Sequence, residues 1–460
     1  MEKKLGLSAL TALVLSSMLG AGVFSLPQNM AAVASPAALL LGWTITGIGI
    51  LLLAFAMLIL TRIRPDLDGG IFTYAREGFG ELIGFCSAWG YWLCAVIANV
   101  SYLVIVFSAL SFFTDTPELR LFGDGNTWQS IVGASALLWI VHLLILRGVQ
   151  TAAVINLVAT LAKLLPLGLF IVLACMMFRL ETFRLDFTGL ALGTPVWEQV
   201  KNTMLITLWV FIGVEGAVVV SARAKNKRDV GRATLLAVLA ALGVYLLVTL
   251  LSLGVVARPE LAEIRNPSMA GLMVKMMGPW GEVIIAAGLI VSVCGAYLSW
   301  TIMAAEVPFL AAKYKAFPRM FARQNTHSAP SASLWLTNLS VQLCLVLIWL
   351  TGSDYNTLLT IASEMILVPY LLVGAFLLKI SARPIHRTVA VGACIYGLWL
   401  LYASGPMHLL LSVVLYAPGL LVFLYARKTH THDNVLNYRE RVLIGLLFVA
   451  AVPATWMLLR

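Results

Sequence analysis

Long apolar stretches separated by short polar segments recur from one end of the chain to the other. No charged side chain lies between Lys4 and Arg62, none from Ala233 to Ala257, and none from Ser328 to Ser353. About 20 apolar residues carry a helix across a bilayer. The pattern predicts thirteen spans, near residues 7–33, 38–61, 80–113, 127–146, 152–178, 202–222, 233–257, 280–312, 330–351, 356–378, 388–404, 408–426 and 442–459. The third and eighth are long enough to require strong tilt or an extension beyond the lipid. The last is the least distinct, so the expected count is twelve or thirteen.

Two spans are interrupted by glycine. One reads Met18-Leu19-Gly20-Ala21-Gly22-Val23-Phe24, the other Phe211-Ile212-Gly213-Val214-Glu215-Gly216-Ala217. Such runs let a helix unwind and bare its backbone, which is tolerated at membrane depth only inside protein or beside a cavity. Two breaks placed alike in two halves of a chain point to a transporter's binding site. Packing through small residues is the plainer reading of either glycine pair alone. Five spans precede the second interrupted one, so two sets of five would run in opposite senses, as in an inverted repeat. The repeats would cover about 1–178 and 198–379, within a core of 1–404, and 405–460 would add accessory helices.

Of 460 residues, 61% are hydrophobic and 11% charged, against about 25% charged in soluble domains. This excludes an ordinary soluble fold. The net charge of +10 does not indicate nucleic acid, because its distribution follows the loops. Lys3 and Lys4, Arg62 to Arg76, Arg147, Arg223 to Arg232, Lys313 to Arg323, Lys379 to Arg387 and Arg427 to Arg441 fall on alternate loops and ends. These hold 22 of the 31 basic side chains. The positive-inside rule then puts the N-terminus and these loops in the cytoplasm. Lys3-Lys4 and Ala32-Val33-Ala34 superficially fit a signal peptide, but the apolar region is too long and too broken, and cleavage is not expected. Cys86, Cys94, Cys175, Cys294, Cys344 and Cys394 lie in expected spans without a CxxC pair, so packing is their expected role. The loop histidines, among them His327, His386, His430 and His432, form no ligand pattern. No metal, cofactor or catalytic motif is indicated.

An unwound helix offers N–H groups to a carboxylate and C=O groups to an ammonium. Gly20, Ala21 and Gly22 permit close backbone approach, as do Gly213 and Gly216. Lys163, Glu215, Glu306 and Glu364 stand alone in uncharged spans. A charge at mid-membrane costs about 3 kcal/mol on insertion scales, so such groups are functional or internally paired. Glu215 sits at the second break and could join the unwound segment to its neighbours or carry a proton. Lys163 could couple transport to a proton or stand where a sodium ion would. Glu306 and Glu364 could meet a cation or gate its path. Their only basic partner within a span would be Lys163. Trp209, Phe211 and Trp300 could hold a cation on their faces; packing is the alternative for any one of them. Tyr91 and Asn99 in the third span are further candidates.

At these residues the chain resembles the basic amino acid/polyamine antiporters of the amino acid–polyamine–organocation superfamily, and within them the arginine/ornithine antiporters. The resemblance covers nearly the whole chain. Its carriers are Gly20 to Pro27, Tyr91-Trp92-Leu93 with Asn99, Trp209 to Glu215, Lys225-Asn226-Lys227-Arg228 and Ser299-Trp300-Thr301. It implies an all-α membrane protein with a LeuT-like 5+5 inverted repeat and 12–13 transmembrane helices, multi-pass in a bacterial-type inner membrane, with no cofactor. It implies exchange of arginine for ornithine or a related cationic amine, and a homodimer is possible. Carried over, Gly20 to Gly22 would take the substrate carboxylate and carbonyls from Trp209 to Ile212 its α-amino group. Trp209 would cover the site. Asn99 and Trp300 would touch the substrate side chain. Tyr91 would belong to the outer gate and Glu215 to the gate or coupling network. Ala21 replaces a serine found in some relatives, which removes a hydroxyl contact, and Lys227 stands where the family often has proline. A proton-coupled symporter of lysine or arginine is the alternative. A membrane enzyme should show a clustered catalytic set, which is missing, and a scaffold has no need of paired breaks.

Overall fold

The computed structural model describes residues 4–352, 355–430 and 436–458. Lys3, Ser353, His432 and Arg460 lie outside them. Among the described residues the regular structure is helical, apart from an isolated bridge between Leu5 and Ala224.

The first span is α1 (Leu7–Met18) followed by α2 (Gly22–Val33). Next come α3 (Pro36–Ile63), the short α4 (Ile71–Phe79), α5 (Glu81–Thr114), α6 (Trp128–Leu146), α7 (Val149–Met177) and the short α8 (Leu180–Arg184). The sixth span is α9 (Val196–Phe211) followed by the single turn α10 (Gly216–Val219). Then follow α11 (Lys227–Val255), the short α12 (Arg258–Ala262) and α13 (Ser268–Met277), α14 (Pro279–Lys313), α15 (Ser331–Thr351) and α16 (Tyr355–Ile380). Outside this set lie α17 (Pro384–Ser404), α18 (Pro406–His430) and α19 (Tyr438–Leu458).

Among the described residues, eleven helices are long and apolar enough to cross a membrane, counting α1 with α2 as one. The sixth expected span is the broken α9–α10 and the thirteenth is α19. The sixth begins at Val196 rather than near 202. Pro195 supplies a helix-compatible start, and Lys201 neutralises Glu198 at 3.1 Å, so the apolar pattern alone placed the boundary too late. The short α4, α12 and α13 were not anticipated.

Helices at equivalent places in the two sets of five pack on each other: α3 on α11, α5 on α14 and α6 on α15. The two broken spans run antiparallel. At one end the Leu5 N–H donates to the Arg223 carbonyl at 2.8 Å and the Lys225 N–H to the Leu5 carbonyl at 2.7 Å. Halfway along, the Ser17 hydroxyl lies 3.2 Å from the Gly213 carbonyl. At the far end the Ser35 N–H donates to Gln199 Oε1 at 2.9 Å. The glycine-permitted turns before α5 and α14 also match, with φ of 98° at Gly80 and 81° at Gly278, a region that side chains rarely adopt. The two longest helices, of 34 and 35 residues, each start at one of them. Large apolar side chains on α6, α7, α15 and α17 to α19 face outward, as lipid contact requires.

Candidate functional site

The first break covers Leu19 to Ala21. Its carbonyl side is held by donors from three helices. Lys163 on α7 reaches the Ser16 carbonyl (3.2 Å), the Ser16 hydroxyl (2.8 Å) and the Leu19 carbonyl (3.1 Å). Three acceptors match the three hydrogens of an ammonium. Ser292 on α14 donates to the Leu19 carbonyl at 2.8 Å, and the Trp300 indole N–H to the Ser17 carbonyl at 3.1 Å. Tyr102 on α5 approaches the same carbonyl at 3.4 Å. On the other side of the break, α2 presents its N-terminus, where the first N–H groups of a helix have no partner within it.

The second break covers Ile212 to Glu215. Gly213 turns the chain at φ 109°, and its N–H donates to Glu215 Oε2 at 3.1 Å. The Tyr370 hydroxyl on α16 donates to the same oxygen. The Tyr245 hydroxyl on α11 donates to the Val210 carbonyl at 2.6 Å. Tyr245 also closes an aromatic cluster with Trp43 and Phe211, at centroid distances of 5.1 to 6.5 Å.

The two breaks touch. A Cβ on Gly22 would lie 2.8 Å from Val210 Cγ1 and 3.1 Å from Trp209 Nε1, so Gly22 lets α2 approach α9 closely. One face of α5 closes the site. On it, Tyr91 stacks on Trp300 (6.3 Å), Tyr102 packs against Trp209 (6.0 Å), and Asn99 lies between them in helical register. The Asn99 amide is fully buried and neither of its polar atoms meets a hydrogen-bonding group among the described residues. Buried amides are normally bonded, so this one suits a ligand's polar group. Gly20 to Gly22, Asn99, Trp209, Phe211, Ile212, Trp300, Tyr91, Lys163 and Glu215 are all buried around the two breaks.

Two expected members lie elsewhere. Glu306 accepts from Arg223 at 2.9 and 3.0 Å, beyond the end of α10. Glu364 pairs with His408 on α18. Neither carboxylate stands alone, and neither turns to Lys163. Their partners come from the segment after α10 and from α18, which a reading confined to single spans does not see. Ser17, Tyr102, Tyr245, Ser292 and Tyr370 were not anticipated. On α7, Asn156 and Thr160 share the helical spacing of Lys163 and are buried with it, and the Thr160 hydroxyl lies 3.4 Å from the Ala12 carbonyl of α1. The Trp300 indole N–H is already engaged by the Ser17 carbonyl and Tyr91 stacks on the ring, which together fix its orientation. The Val210 carbonyl is likewise engaged by Tyr245, which narrows the carbonyls open to an ammonium.

The sequence pattern of amino acid permeases matches residues 5–449. The chain belongs to the amino acid permease family. An Escherichia coli (strain K12) protein named "Putative arginine/ornithine antiporter" is 91% identical over the full length of both chains. The arginine/ornithine antiporter of Pseudomonas aeruginosa is 44% identical, covering 99% of this permease and 97% of that protein. The arginine/agmatine antiporter of Chlamydia pneumoniae is 41% identical, covering 99% and 96%. Among solved structures, a sodium-coupled sialic acid symporter superposes with a TM-score of 0.56 over 87% of this permease and 90% of that chain, at 12% identity. That likeness shows the fold, a LeuT-like helical transporter.

Proposed function

We propose that this permease exchanges arginine for ornithine, or a related cationic amino acid or amine, across the inner membrane by alternating access. The observation that carries the reading is the meeting of two unwound helices in one buried site, Gly22 against Trp209 and Val210, and Ser17 against Gly213. The N-terminus of α2 suits a carboxylate and the Ile212 carbonyl, just past α9, an ammonium. Trp209, Trp300 and Tyr91 line the space with aromatic faces suited to a cationic side chain, and Asn99 offers an amide. The relatives named as arginine/ornithine and arginine/agmatine antiporters support the same cargo.

In this reading the transport core is 1–404, its repeats are about 1–178 and 198–379, and 405–460 is accessory. The pairing of α3 with α11, α5 with α14 and α6 with α15 supports it. The basic loops favour a cytoplasmic N-terminus. Arg223–Glu306 then belongs to the inner gate, and Glu364–His408 ties the outer half of α16 to α18. The chain acts as a carrier rather than an enzyme, needs no cofactor, and works embedded in lipid, with a homodimer as an assembly to test.

One-for-one exchange of two equally charged solutes moves no net charge, so no driving ion is required. Liposomes loaded with ornithine or arginine should take up labelled arginine, and empty ones should not. Proton-driven uptake into empty liposomes would overturn exchange in favour of a proton-coupled cationic amino acid symporter. The buried Lys163, seated on the carbonyl end of α1, favours that second reading.

A further inference from the structure

A cavity of about 740 Å³ opens at the end of the bundle that carries the N-terminus, between the close of α3 and the start of α11. Its lining comes from two segments far apart in sequence and brings five cations together: Arg62, Lys225, Lys227, Arg228 and Arg232. Among the described residues, Lys227 is paired with Asp68 and Arg232 lies 3.9 Å from Asp229. Arg62, Lys225 and Arg228 are exposed and stand in no ion pair there. Three unneutralised cations in one concavity exceed what a loop needs to set its orientation, because that effect counts charges and does not require them to converge.

Two features choose the ligand's chemistry. The start of the 29-residue α11 adds its own positive end to the cavity, so the occupant is an anion of more than one charge or several hydrogen-bond acceptors. The cavity also sits at the ends of two membrane-length helices, which is headgroup depth. Below it, α3 and α11 pack together and present Phe55, Ile63, Leu236 and Leu239 outward, each 38 to 51% exposed. A charged head above an apolar flank matches a phospholipid rather than a free anion.

We propose that this cavity holds the phosphate headgroup of an anionic phospholipid, with Arg62, Lys225 and Arg228 as its principal contacts. An occupant there would share Lys227 with Asp68. Asp68 also accepts from Ser221 at 3.2 Å, two residues from the Arg223 that pairs with Glu306. The lipid would thus touch the segment that closes this end of the transport path.

The test is lipid retention by the full chain. Native mass spectrometry of protein released from nanodiscs containing phosphatidylglycerol or cardiolipin should show bound anionic lipid, and none from phosphatidylcholine. The R62Q/K225Q/R228Q variant should bind on the order of 100-fold more weakly, from about one surface charge's attraction per side chain. A charge-matched control, R319Q/R323Q/R383Q, should retain the lipid. If the first variant fails to fold, the wild-type protein decides alone: retention should fall steeply with added salt. Equal retention by both variants, or salt-insensitive retention, overturns the proposal. Binding of inorganic phosphate that anionic lipid does not displace would assign the cavity to a soluble anion and overturn the lipid assignment.

Discussion

The two helix breaks solve one problem with opposite charges. At the first, the bared groups that need satisfying are carbonyls at the end of α1, and a lysine on α7 meets them. At the second, the bared group is the Gly213 N–H, and the carboxylate of Glu215 two residues on meets it, backed by Tyr370. Each break thus plugs one of its ends with a permanent side chain of the complementary sign. The last-turn carbonyls of α9, Leu208 to Phe211, all accept hydrogen bonds, so what stays open among the described residues is the N-terminus of α2 and the Ile212 carbonyl just past α9, with Gly22 lying against Trp209. In the proposed reading, the carboxylate and ammonium of a zwitterion would meet these two remaining groups. The asymmetry is structural as well. The helix after the first break has 12 residues and a useful dipole, whereas α10 has four and little.

Filling the space at the breaks should have the largest effect. At Gly213 a Cβ would sit 2.5 Å from the Ser17 hydroxyl and 2.8 Å from its Cβ, on a backbone at φ 109°. Strain of this kind costs about 1–3 kcal/mol before any collision. G213V and G22V should both abolish exchange in liposomes, while insertion and expression stay near normal. Transport at wild-type rate in both would remove the breaks from the mechanism. W209A, by contrast, deletes a cover and should raise KM for arginine more than it lowers the maximal rate.

The plugs come next. K163M leaves the Ser16 and Leu19 carbonyls without their cation in a buried setting, which costs about 3 kcal/mol or more. Exchange should fall by about 100-fold or more. E215Q keeps an oxygen able to accept from Gly213 and Tyr370, so its loss should be nearer 10-fold. The ordering sharpens the comparison, because a plug that works by charge tolerates no isostere and one that works by hydrogen bonding tolerates it partly. Equal losses in the two variants, measured as arginine–arginine exchange, would mean that Glu215 also works by charge.

The span pattern, both breaks and the charged residues near them were legible because each depends on local sequence: apolar length, glycine and isolated charge. The expected spans fall on helices, with boundary errors where a capping proline or a short ion pair moved the start. What was not legible is what depends on distant partners. Glu306 read as solitary because Arg223 lies 83 residues away in the segment after α10, and Glu364 because His408 belongs to another helix. Ser17 and Ser292 carried no signal, since a serine on a transmembrane helix usually bonds back to its own turn. The matching turns at Gly80 and Gly278 were available in principle. Each precedes an unusually long span, but a lone glycine does not announce a positive φ.

Ser17 offers the smallest and most discriminating test. Its hydroxyl has one hydrogen and two acceptors in reach, the Val14 carbonyl at 2.8 Å and the Gly213 carbonyl at 3.2 Å. The shorter contact lies within its own helix, and the longer one is its polar link to the second break. If the breaks move as one unit, S17A removes part of that link, about 1 kcal/mol, or roughly fivefold in exchange rate, and should do so without altering arginine affinity. Combined with E215Q, which loosens the same turn from the other side, the loss should be less than the product of the two single losses, because both act on the position of Gly213. Losses that simply multiply would mean that each break is set by its own plug alone and that the contact between them is incidental packing.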